Sequence, residues 1–453
     1  MPAATHALGE QVHELVGDLH TELQQESGTP ASGYDATYFE TNVTENDSMK
    51  GKLPDKADML ISSPRIHDTQ LRETLGQLRP RGYYSYASDN TQYDHEQAVL
   101  EEITPEHTQE AKRLICDWYR KRYGTEMDPE HVLLCKTTVW GMQACVQEEK
   151  KRKESKGILA SAWRRLMKPK PTSSVAAIVP AYDPYQRIAE RVDNAPLTQI
   201  PLLQRDRNDP SAGWKFDVSS FERIIAKAKP ATLLLSNPNN PTGYVYSEDE
   251  LRSIITICKK HNVTLISDEV WADHTDTQHV SAARIAQECG CADTVITAFG
   301  TGKTFNTSGF PCNALIIPNA TTRGAVKPHF SYLRPRDISV PLLRNCMEQA
   351  DDYLPPLRSL IRENMQTLAA TLETCGMKTH IPDSTFVLFV HLGENAEQSR
   401  TLLEEAGIMT KDGADYGTSG KGFVRIVVAA PAEVVRSCCE RLKELSHRAG
   451  RLT

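Results

Sequence analysis

The sequence predicts an α/β protein built on a mostly parallel sheet. From about residue 100 onward short apolar runs recur, and several lack polar alternation, which is typical of strands buried on both faces. Helical segments lie between some of these runs, and such alternation predicts a parallel sheet covered by helices. The chain has 453 residues, more than one hydrophobic core usually holds, so we expect two or three domains.

The predicted elements follow one another along the chain. A helix in "EAKRLICDWYRKRYG" is closed by its glycine, and a second helix, "SEDELRSIITICKKH", opens with a capping box between Ser247 and Glu250. The apolar face of the second helix consists of Leu251, Ile254, Ile255 and Cys258. The predicted strands are "HVLLCK", "SSVAAIVP", "ATLLLS", "NVTLIS", "DTVITAF" and "CNALIIP".

Composition excludes several classes of function. The net charge of −7 gives no reason to expect a nucleic-acid partner, and no stretch approaches the roughly 18 apolar residues that span a membrane. The eleven cysteines are scattered and match no paired metal-binding framework, so we predict no metal site. An odd cysteine count and a start without the features of a signal peptide favour a cytoplasmic protein.

Two segments stand apart from the strand–helix pattern. Residues 8–23 carry Leu and Val at helical spacing and predict an amphipathic arm, which could pack on its own domain or on a second subunit. Residues 148–174 carry nine Lys or Arg against three Glu. This basic segment could dock a partner or an anionic surface around Trp163, but a solvated insertion is the interpretation we favour.

Polar residues follow four of the predicted strands. "NPNNPTG", residues 237–243, is a turn shaped by two prolines and a glycine, and its asparagines offer amide groups. Asp268 ends a buried strand, where an ionised carboxylate is costly unless a cation meets it. Lys303 follows the next strand, and Thr137 and Thr138 precede a helix whose first amides could hold an anion.

These groups together indicate one cofactor, pyridoxal 5′-phosphate (PLP). Its aldehyde condenses with a lysine, its pyridine nitrogen needs a carboxylate in order to stay protonated, and its phosphate needs amides and hydroxyls. Glycines at 300 and 302 flank the approach to Lys303, and we expect them to leave room for the ring and its phosphate.

The motifs also carry a family resemblance. "NPNNPTG", "SDEVW" and "KTFN", in this order and about 30 residues apart, resemble the class I/II aminotransferase superfamily of PLP fold type I, and "PAYDPY" and "GFVRI" add to the match. Within it the chain is similar to the MalY/PatB type of cystathionine β-lyase, a C–S lyase. That closer likeness lies in "GWKFDVSSFE", "KTFN" and "YGTSGKGFVRI".

The resemblance implies a role for each site residue. Lys303 would bind the cofactor aldehyde and move the substrate Cα proton, and Asp268 would pair with the pyridinium nitrogen. Arg425 would bind the substrate α-carboxylate as a bidentate fork. The other cofactor contacts it implies are Asn240 at the ring oxygen, Tyr182 stacked on the ring, and Thr138, Val139, Thr301 and a neighbouring subunit's Tyr86 at the phosphate. We leave His274 out of the site, because a surface or core histidine is the simpler interpretation.

Four positions depart from the family pattern. Gly300 and Gly302 stand where superfamily members commonly have serine, and Pro311 stands where many have a phosphate-binding arginine. Trp271 replaces the usual tyrosine, or the histidine of the MalY/PatB type, and we count it among the substrate-binding residues. An indole can donate a hydrogen bond but cannot accept one, so Trp271 puts the subfamily and the substrate in question.

The resemblance favours a C–S β-lyase that converts a cysteine S-conjugate or a cystathionine-like amino acid to a thiol, ammonia and a keto acid. An aminotransferase is the main alternative, because the same core residues serve both reactions. Another PLP reaction, or a PLP-fold binding protein without turnover, also stays open. The implied architecture is a homodimer with an arm and part of the small domain in residues 1–95, a large PLP-binding domain in 96–330 and a small α/β domain in 331–453.

Overall fold

Two sheets and the helices around them make up the described part of the chain. The computed structural model describes residues 103–155, 173–308, 311–331, 334–337 and 339–449, and these fall within one compact unit. The predicted arm and residues 156–172 of the basic segment lie outside them. No helix of the described part is long and apolar enough to cross a membrane.

The strands of the described residues are numbered in chain order. They are β1 (Val132–Cys135), β2 (Val175–Val179), β3 (Thr198–Pro201), β4 (Leu203–Gln204), β5 (Trp214–Lys215), β6 (Thr232–Ser236), β7 (Thr264–Asp268), β8 (Val295–Phe299), β9 (Asn313–Ile316), β10 (Lys378–Thr379), β11 (Val387–His391), β12 (Lys411–Asp412) and β13 (Phe423–Val427).

The α-helices are numbered in the same way. They are α1 (Pro105–Tyr123), α2 (Thr138–Ser155), α3 (Pro184–Asp193), α4 (Val218–Ala228), α5 (Glu248–Lys260), α6 (Ala282–Glu288), α7 (Ala320–Phe330), α8 (Ser339–Glu348), α9 (Ala350–Thr374), α10 (Ala396–Glu405) and α11 (Ala432–Ala449).

The larger sheet has seven strands in the order β1-β9-β8-β7-β6-β2-β3. All of its strands run in one direction except β9, which is antiparallel to both of its neighbours. Each of β2, β6, β7 and β8 consists wholly of buried residues. The mostly parallel sheet predicted from the apolar runs is therefore confirmed, and helices on both faces account for the absence of polar alternation.

Helix ends follow the predicted capping signals. The Ser247 side chain accepts a hydrogen bond from the amide of Glu250. The Glu250 carboxylate accepts one from the amide of Ser247, and this confirms the capping box of α5. The apolar face of α5 is buried as predicted. Helix α1 ends at Gly124 with φ +59°, a left-handed conformation that glycine adopts without strain.

The smaller sheet has the order β10-β11-β13-β12 and is antiparallel throughout. One of its faces joins a core formed with α9 and α11. On its other face the rings of Phe389 and Phe423 stack at 4.8 Å, and Trp214 of β5 packs against both. This packing brings β13 close to the loops that follow the strands of the larger sheet.

Candidate active site

Four predicted site residues lie at one edge of the larger sheet. Asp268 ends β7, and its register partners in the neighbouring strands are Ser236 at the end of β6 and Ala298 near the end of β8. Asn240 follows β6 and Lys303 follows β8, while Tyr182 follows β2, the next parallel strand. The structure thus gathers these residues at the carboxyl ends of four adjacent strands, where open α/β sheets bind their ligands.

The turn after β6 is fixed by its own polar groups. Its Asn237–Pro238 and Asn240–Pro241 peptide bonds are cis. The Asn239 side-chain amide donates to the carbonyl of Pro180 over 3.1 Å, which ties the turn to the loop after β2. Asn240 is buried, and its Oδ1 has no hydrogen-bond partner among the described residues. A buried oxygen in that position can accept a hydrogen bond from a ligand.

Asp268 is a buried carboxylate with one strong protein donor. The hydroxyl of Tyr185 donates to its Oδ2 over 2.9 Å, and the amide of Val270 donates to Oδ1 over 3.4 Å. Burial raises the pKa of Asp268 to about 6, although the Tyr185 hydrogen bond and the Lys303 charge both oppose the increase. A cationic ring nitrogen beside this carboxylate would be strongly favoured.

Lys303 carries an amine that loses its proton easily. Burial and the Arg425 charge together lower its pKa to about 8, while Asp268 acts in the opposite direction. The amine lies 5.8 Å from the centre of the Trp271 ring. A lysine with this environment supplies a useful fraction of neutral amine near neutral pH, as a nucleophile or a base needs.

Two neighbours hold the turn that carries Lys303. The hydroxyl of Thr304 donates to Oδ2 of Asp273 over 3.0 Å. Nε2 of His274 lies 2.8 Å from the carbonyl oxygen of Lys303. Both Asp273 and His274 belong to the segment that follows Asp268. Hydrogen bonds therefore connect the loop after β7 to the loop after β8 at the lysine turn.

The two glycines before Lys303 lie close to side chains of the protein itself. A Cβ at position 300 would lie 2.7 Å from Oδ1 of Asn313, and a Cβ at position 302 would lie 2.9 Å from Oγ of Ser308. Asn313 is itself held by a 2.7 Å hydrogen bond to the carbonyl of Lys136. Close packing against Asn313 therefore restricts position 300, whereas the Ser308 hydroxyl can rotate away from a side chain at position 302. That the two glycines leave room for the cofactor ring and its phosphate stays a prediction.

Arg425 reaches the site from the smaller sheet. It lies on β13, is buried, and its guanidinium carbon is 5.6 Å from the centre of the Tyr416 ring. Its charge lowers the pKa of Lys303, so the two cations are near each other. A fixed guanidinium beside a reactive amine is suited to binding the carboxylate of an amino acid.

Comparison with known proteins identifies the family. Residues 155–442 match the family model described as aminotransferase class I and II, which is more than half of the chain. The chain belongs to the class I and II aminotransferase family. The family predicted from the motifs is therefore confirmed.

Individual relatives include both lyases and aminotransferases. The chain is 23% identical to cystathionine beta-lyase PatB of Bacillus subtilis over 348 residues, 74% of this chain and 82% of the relative. It is 25% identical to LL-diaminopimelate aminotransferase of Aquifex aeolicus over 74% of this chain and 81% of the relative. The structure of cystalysin from Treponema denticola superposes with a TM-score of 0.71 at 19% identity, covering 94% of this chain and 98% of cystalysin. The last likeness confirms the predicted fold.

The remaining predicted positions of this family member are placed as follows. Thr138 and Val139 begin α2 at the carboxyl end of β1, and Thr301 is buried with its hydroxyl 3.3 Å from that of Thr307. Their amides and hydroxyls are of the kind that binds phosphate. Tyr86 lies outside the described residues.

Trp271 is packed more deeply than a pocket-lining residue. Its side chain is 2% exposed, and its ring meets Phe386 edge-on at 4.5 Å and His274 at 6.0 Å. The structure places it beneath Lys303, in the core between the two sheets. Direct contact between Trp271 and a substrate stays a prediction.

Three basic residues in the described part of the basic segment make contacts within the protein. Lys150 pairs with Asp193 at 2.9 Å, and Arg152 pairs with the buried Glu149. Lys153 donates to the carbonyl of Ala231. Residues 148–155 form the end of α2 and are therefore a packed helix rather than a solvated insertion. For residues 156–172 the insertion stays a prediction.

Tyr185 is a site residue that the sequence reasoning missed. It is the last residue of the "PAYDPY" motif, lies in the first turn of α3, and is fully buried. Tyr185 follows β2 as Tyr182 does, so a polar group after a buried strand could have indicated it. Its hydrogen bond to Asp268 depends on the adjacency of β2, β6 and β7, which no local pattern shows.

The residues at this edge fit PLP. The orphaned Oδ1 of Asn240 and the buried Asp268 carboxylate can each take a polar group of the pyridine ring, and Lys303 offers an amine to the aldehyde. The start of α2 and Thr301 provide amides and hydroxyls for a phosphate. The chemistry of this donor set matches the cofactor predicted from the sequence.

Proposed function

We propose that this protein is a PLP-dependent C–S β-lyase, which cleaves a cysteine S-conjugate or a cystathionine-like amino acid to a thiol, ammonia and a keto acid. The observation that carries the cofactor is that the buried Asp268 ends β7 and Lys303 lies in the loop after the neighbouring strand β8, at the same edge of the sheet. The similarity to cystathionine beta-lyase PatB supports elimination as the reaction.

The residues that would hold the cofactor surround this pair. Asp268 would meet the pyridine nitrogen, Asn240 the ring oxygen, and Tyr182 one face of the ring. Thr138, Val139, Thr301 and a second copy's Tyr86 would hold the phosphate. When bound, PLP supplies a carbonyl for the lysine and an electron sink for the reacting carbon.

The protein's own groups then govern proton transfer. Arg425 holds the substrate carboxylate, which fixes the Cα–H bond relative to Nζ of Lys303. Because the pKa of Lys303 is lowered to about 8, its amine is partly neutral near neutral pH and can accept the Cα proton. The Tyr185 hydrogen bond keeps Asp268 ionised against the cost of burial.

Elimination and transamination diverge after this proton transfer. In elimination the Cβ–S bond breaks and the sulfur leaves as a thiol, whereas in transamination the proton returns to another carbon. An aminotransferase is therefore the second candidate, and the similarity to LL-diaminopimelate aminotransferase supports it.

We also propose the finer organisation that the family suggests. The protein is a cytoplasmic homodimer, with a large domain around the seven-stranded sheet and a small one around the four-stranded sheet. Size-exclusion chromatography with light scattering tests the dimer, and a monomer that retains full activity would contradict it.

A product assay tests the reaction. PLP-loaded protein is incubated with an S-alkyl cysteine or cystathionine, without any added keto acid, and thiol and keto acid are quantified. Continuous release of both in equal amounts is expected for the lyase. If product formation stopped after a single turnover and continued only when a keto acid was added, the protein would be an aminotransferase instead.

A further inference from the structure

A histidine that lies outside the predicted site contacts the backbone of Lys303. Nε2 of His274 is 2.8 Å from the Lys303 carbonyl oxygen, and the His274 side chain is 3% exposed. A carbonyl oxygen can only accept a hydrogen bond, so Nε2 must carry the proton. His274 is therefore a neutral donor to the residue whose amine performs the chemistry.

The position of the His274 ring is determined by its surroundings. The ring meets Phe386 edge-on at 5.0 Å and Trp271 at 6.0 Å. Burial lowers the pKa of His274 to about 4, so it stays uncharged at neutral pH. Its Nδ1 is buried and has no hydrogen-bond partner among the described residues, which leaves the contact with Lys303 as the ring's one polar link in that part of the chain.

The backbone of His274 is held from the opposite side. The amide of Thr385 donates to the His274 carbonyl over 2.7 Å. Thr385 has φ +68°, a left-handed conformation that is costly for a β-branched residue and is found mainly where surrounding structure enforces it. Two hydrogen bonds thus connect the segment before β11 to the Lys303 turn through His274.

The neighbouring residue pair strengthens this connection. Asp273 accepts hydrogen bonds from Thr304 over 3.0 Å and from Tyr123 over 2.6 Å. The guanidinium of Arg358 donates to the Asp273 carbonyl over 2.9 Å. Asp273 and His274, consecutive residues of the loop after β7, therefore contact Thr304 and Lys303, consecutive residues of the lysine turn. Asp273 is itself held by Tyr123 and Arg358.

We propose that His274 is a positioning residue: its ring N–H holds the carbonyl of Lys303 and fixes the turn from which the amine reaches cofactor and substrate. This role rests on the proposed function of Lys303. It does not depend on whether the reaction is elimination or transamination, because both need the amine at the same place.

Two substitutions separate the hydrogen bond from the packing of the ring. His274→Phe keeps an aromatic ring against Phe386 and removes the donor, while His274→Gln can place an amide N–H near the position of Nε2. The control is His279→Phe, because His279 is also buried but lies beside Glu269, 3.3 Å from its carboxylate, and not at the lysine turn.

The first readout is the rate at which cofactor-free protein captures added PLP covalently, followed by visible absorbance in a stopped-flow instrument. The second is the separation of kcat from KM under saturating PLP. We expect His274→Phe to slow capture and lower kcat about tenfold with KM changed less than about twofold, and His274→Gln to stay within about threefold of wild type. Melting temperatures confirm that the variants fold.

Each outcome bears on the proposal. Wild-type rates in folded His274→Phe, or equal losses in the Phe and Gln variants, would overturn the role of the N–H donor. A loss in the His279→Phe control as large as that in His274→Phe would also overturn it. Wild-type protein that captures PLP but releases no thiol would contradict only the proposed lyase reaction, and protein that captures no PLP would overturn both.

Discussion

The hydroxyl of Tyr185 donates a hydrogen bond to Oδ2 of Asp268 over 2.9 Å, at the carboxyl edge of the parallel sheet. This bond stabilises the ionised form of a carboxylate that burial disfavours. A tyrosine from the first turn of α3 thereby stabilises the charge that the cofactor ring is expected to meet.

Removing that hydroxyl should weaken catalysis at low pH first. In Tyr185→Phe the pKa of Asp268 loses its largest lowering contribution and rises, so the acid limb of the kcat profile moves to higher pH. Loss of one hydrogen bond to a charged group corresponds to roughly a tenfold decrease in kcat. Steady-state rates across the pH range test this expectation.

Tyr244→Phe is the matched control for that experiment. The Tyr244 hydroxyl also donates to a carboxylate, that of Glu250 over 2.6 Å, but Glu250 belongs with Ser247 to the capping box of α5. An unchanged acid limb in Tyr185→Phe, or an equal change in the control, would contradict the role of Tyr185.

Asp268→Asn should stabilise the cofactor-free protein while abolishing turnover. The pKa of Asp268 is raised from 3.8 to about 6, so the folded state binds a proton that the unfolded chain has released. The stability linked to this proton is fully present below about pH 4 and is lost as the pH rises through 6. At neutral pH the variant should gain about 3 kcal/mol in free energy of unfolding.

Urea denaturation of the cofactor-free proteins at two pH values measures this gain. The difference between wild type and Asp268→Asn should be clear at neutral pH and small near pH 4. A variant that is less stable than wild type at neutral pH would show that burial of the ionised Asp268 carboxylate does not destabilise the folded protein.

Arg425→Met should alter both Lys303 and substrate binding. Because the Arg425 charge lowers the pKa of Lys303, its removal should shift the midpoint of Lys303 alkylation in cofactor-free protein to higher pH. Loss of the carboxylate contact should raise KM by about tenfold or more. Peptide mapping after limited labelling gives the midpoint, and steady-state kinetics give KM.

The comparison variant is Arg400→Met, which breaks an ion pair with Asp412 near the surface. Neither the labelling midpoint nor KM should change in it. If Arg425→Met leaves both quantities unaltered, the guanidinium does not face the site.

Gly300→Ala distinguishes packing from ligand access. The new methyl group would press on Asn313, so the cofactor-free protein should lose about 1–3 kcal/mol in free energy of unfolding. The double variant with Asn313→Ala should recover part of that loss. If stability stayed at the wild-type value while PLP affinity fell, the glycine would serve the ligand, as the sequence first suggested.

Sequence reasoning found six of the seven strands of the larger sheet, and the principal site residues, for one physical reason. Strands buried on both faces are continuously apolar, so polar residues at their ends, such as Asp268 and Lys303, stand out and share one edge of a parallel sheet. The family motifs lie on these same strand ends.

The missed features depend on contacts between distant parts of the chain. The close packing at Gly300 depends on Asn313 in the antiparallel β9, and the contact of His274 with Lys303 depends on how two loops meet. His274 was considered and set aside as a surface or core histidine. It is buried, and its additional contact is with a backbone atom, which side-chain patterns do not encode.

The most direct test of the central claim is to locate the lysine that PLP modifies. The PLP-loaded protein is treated with borohydride, which makes the lysine adduct permanent, then digested and analysed by mass spectrometry. The account predicts a single phosphopyridoxyl group on the peptide that contains Lys303, and none in Lys303→Ala. An adduct on another lysine, or none at saturating PLP, would contradict it.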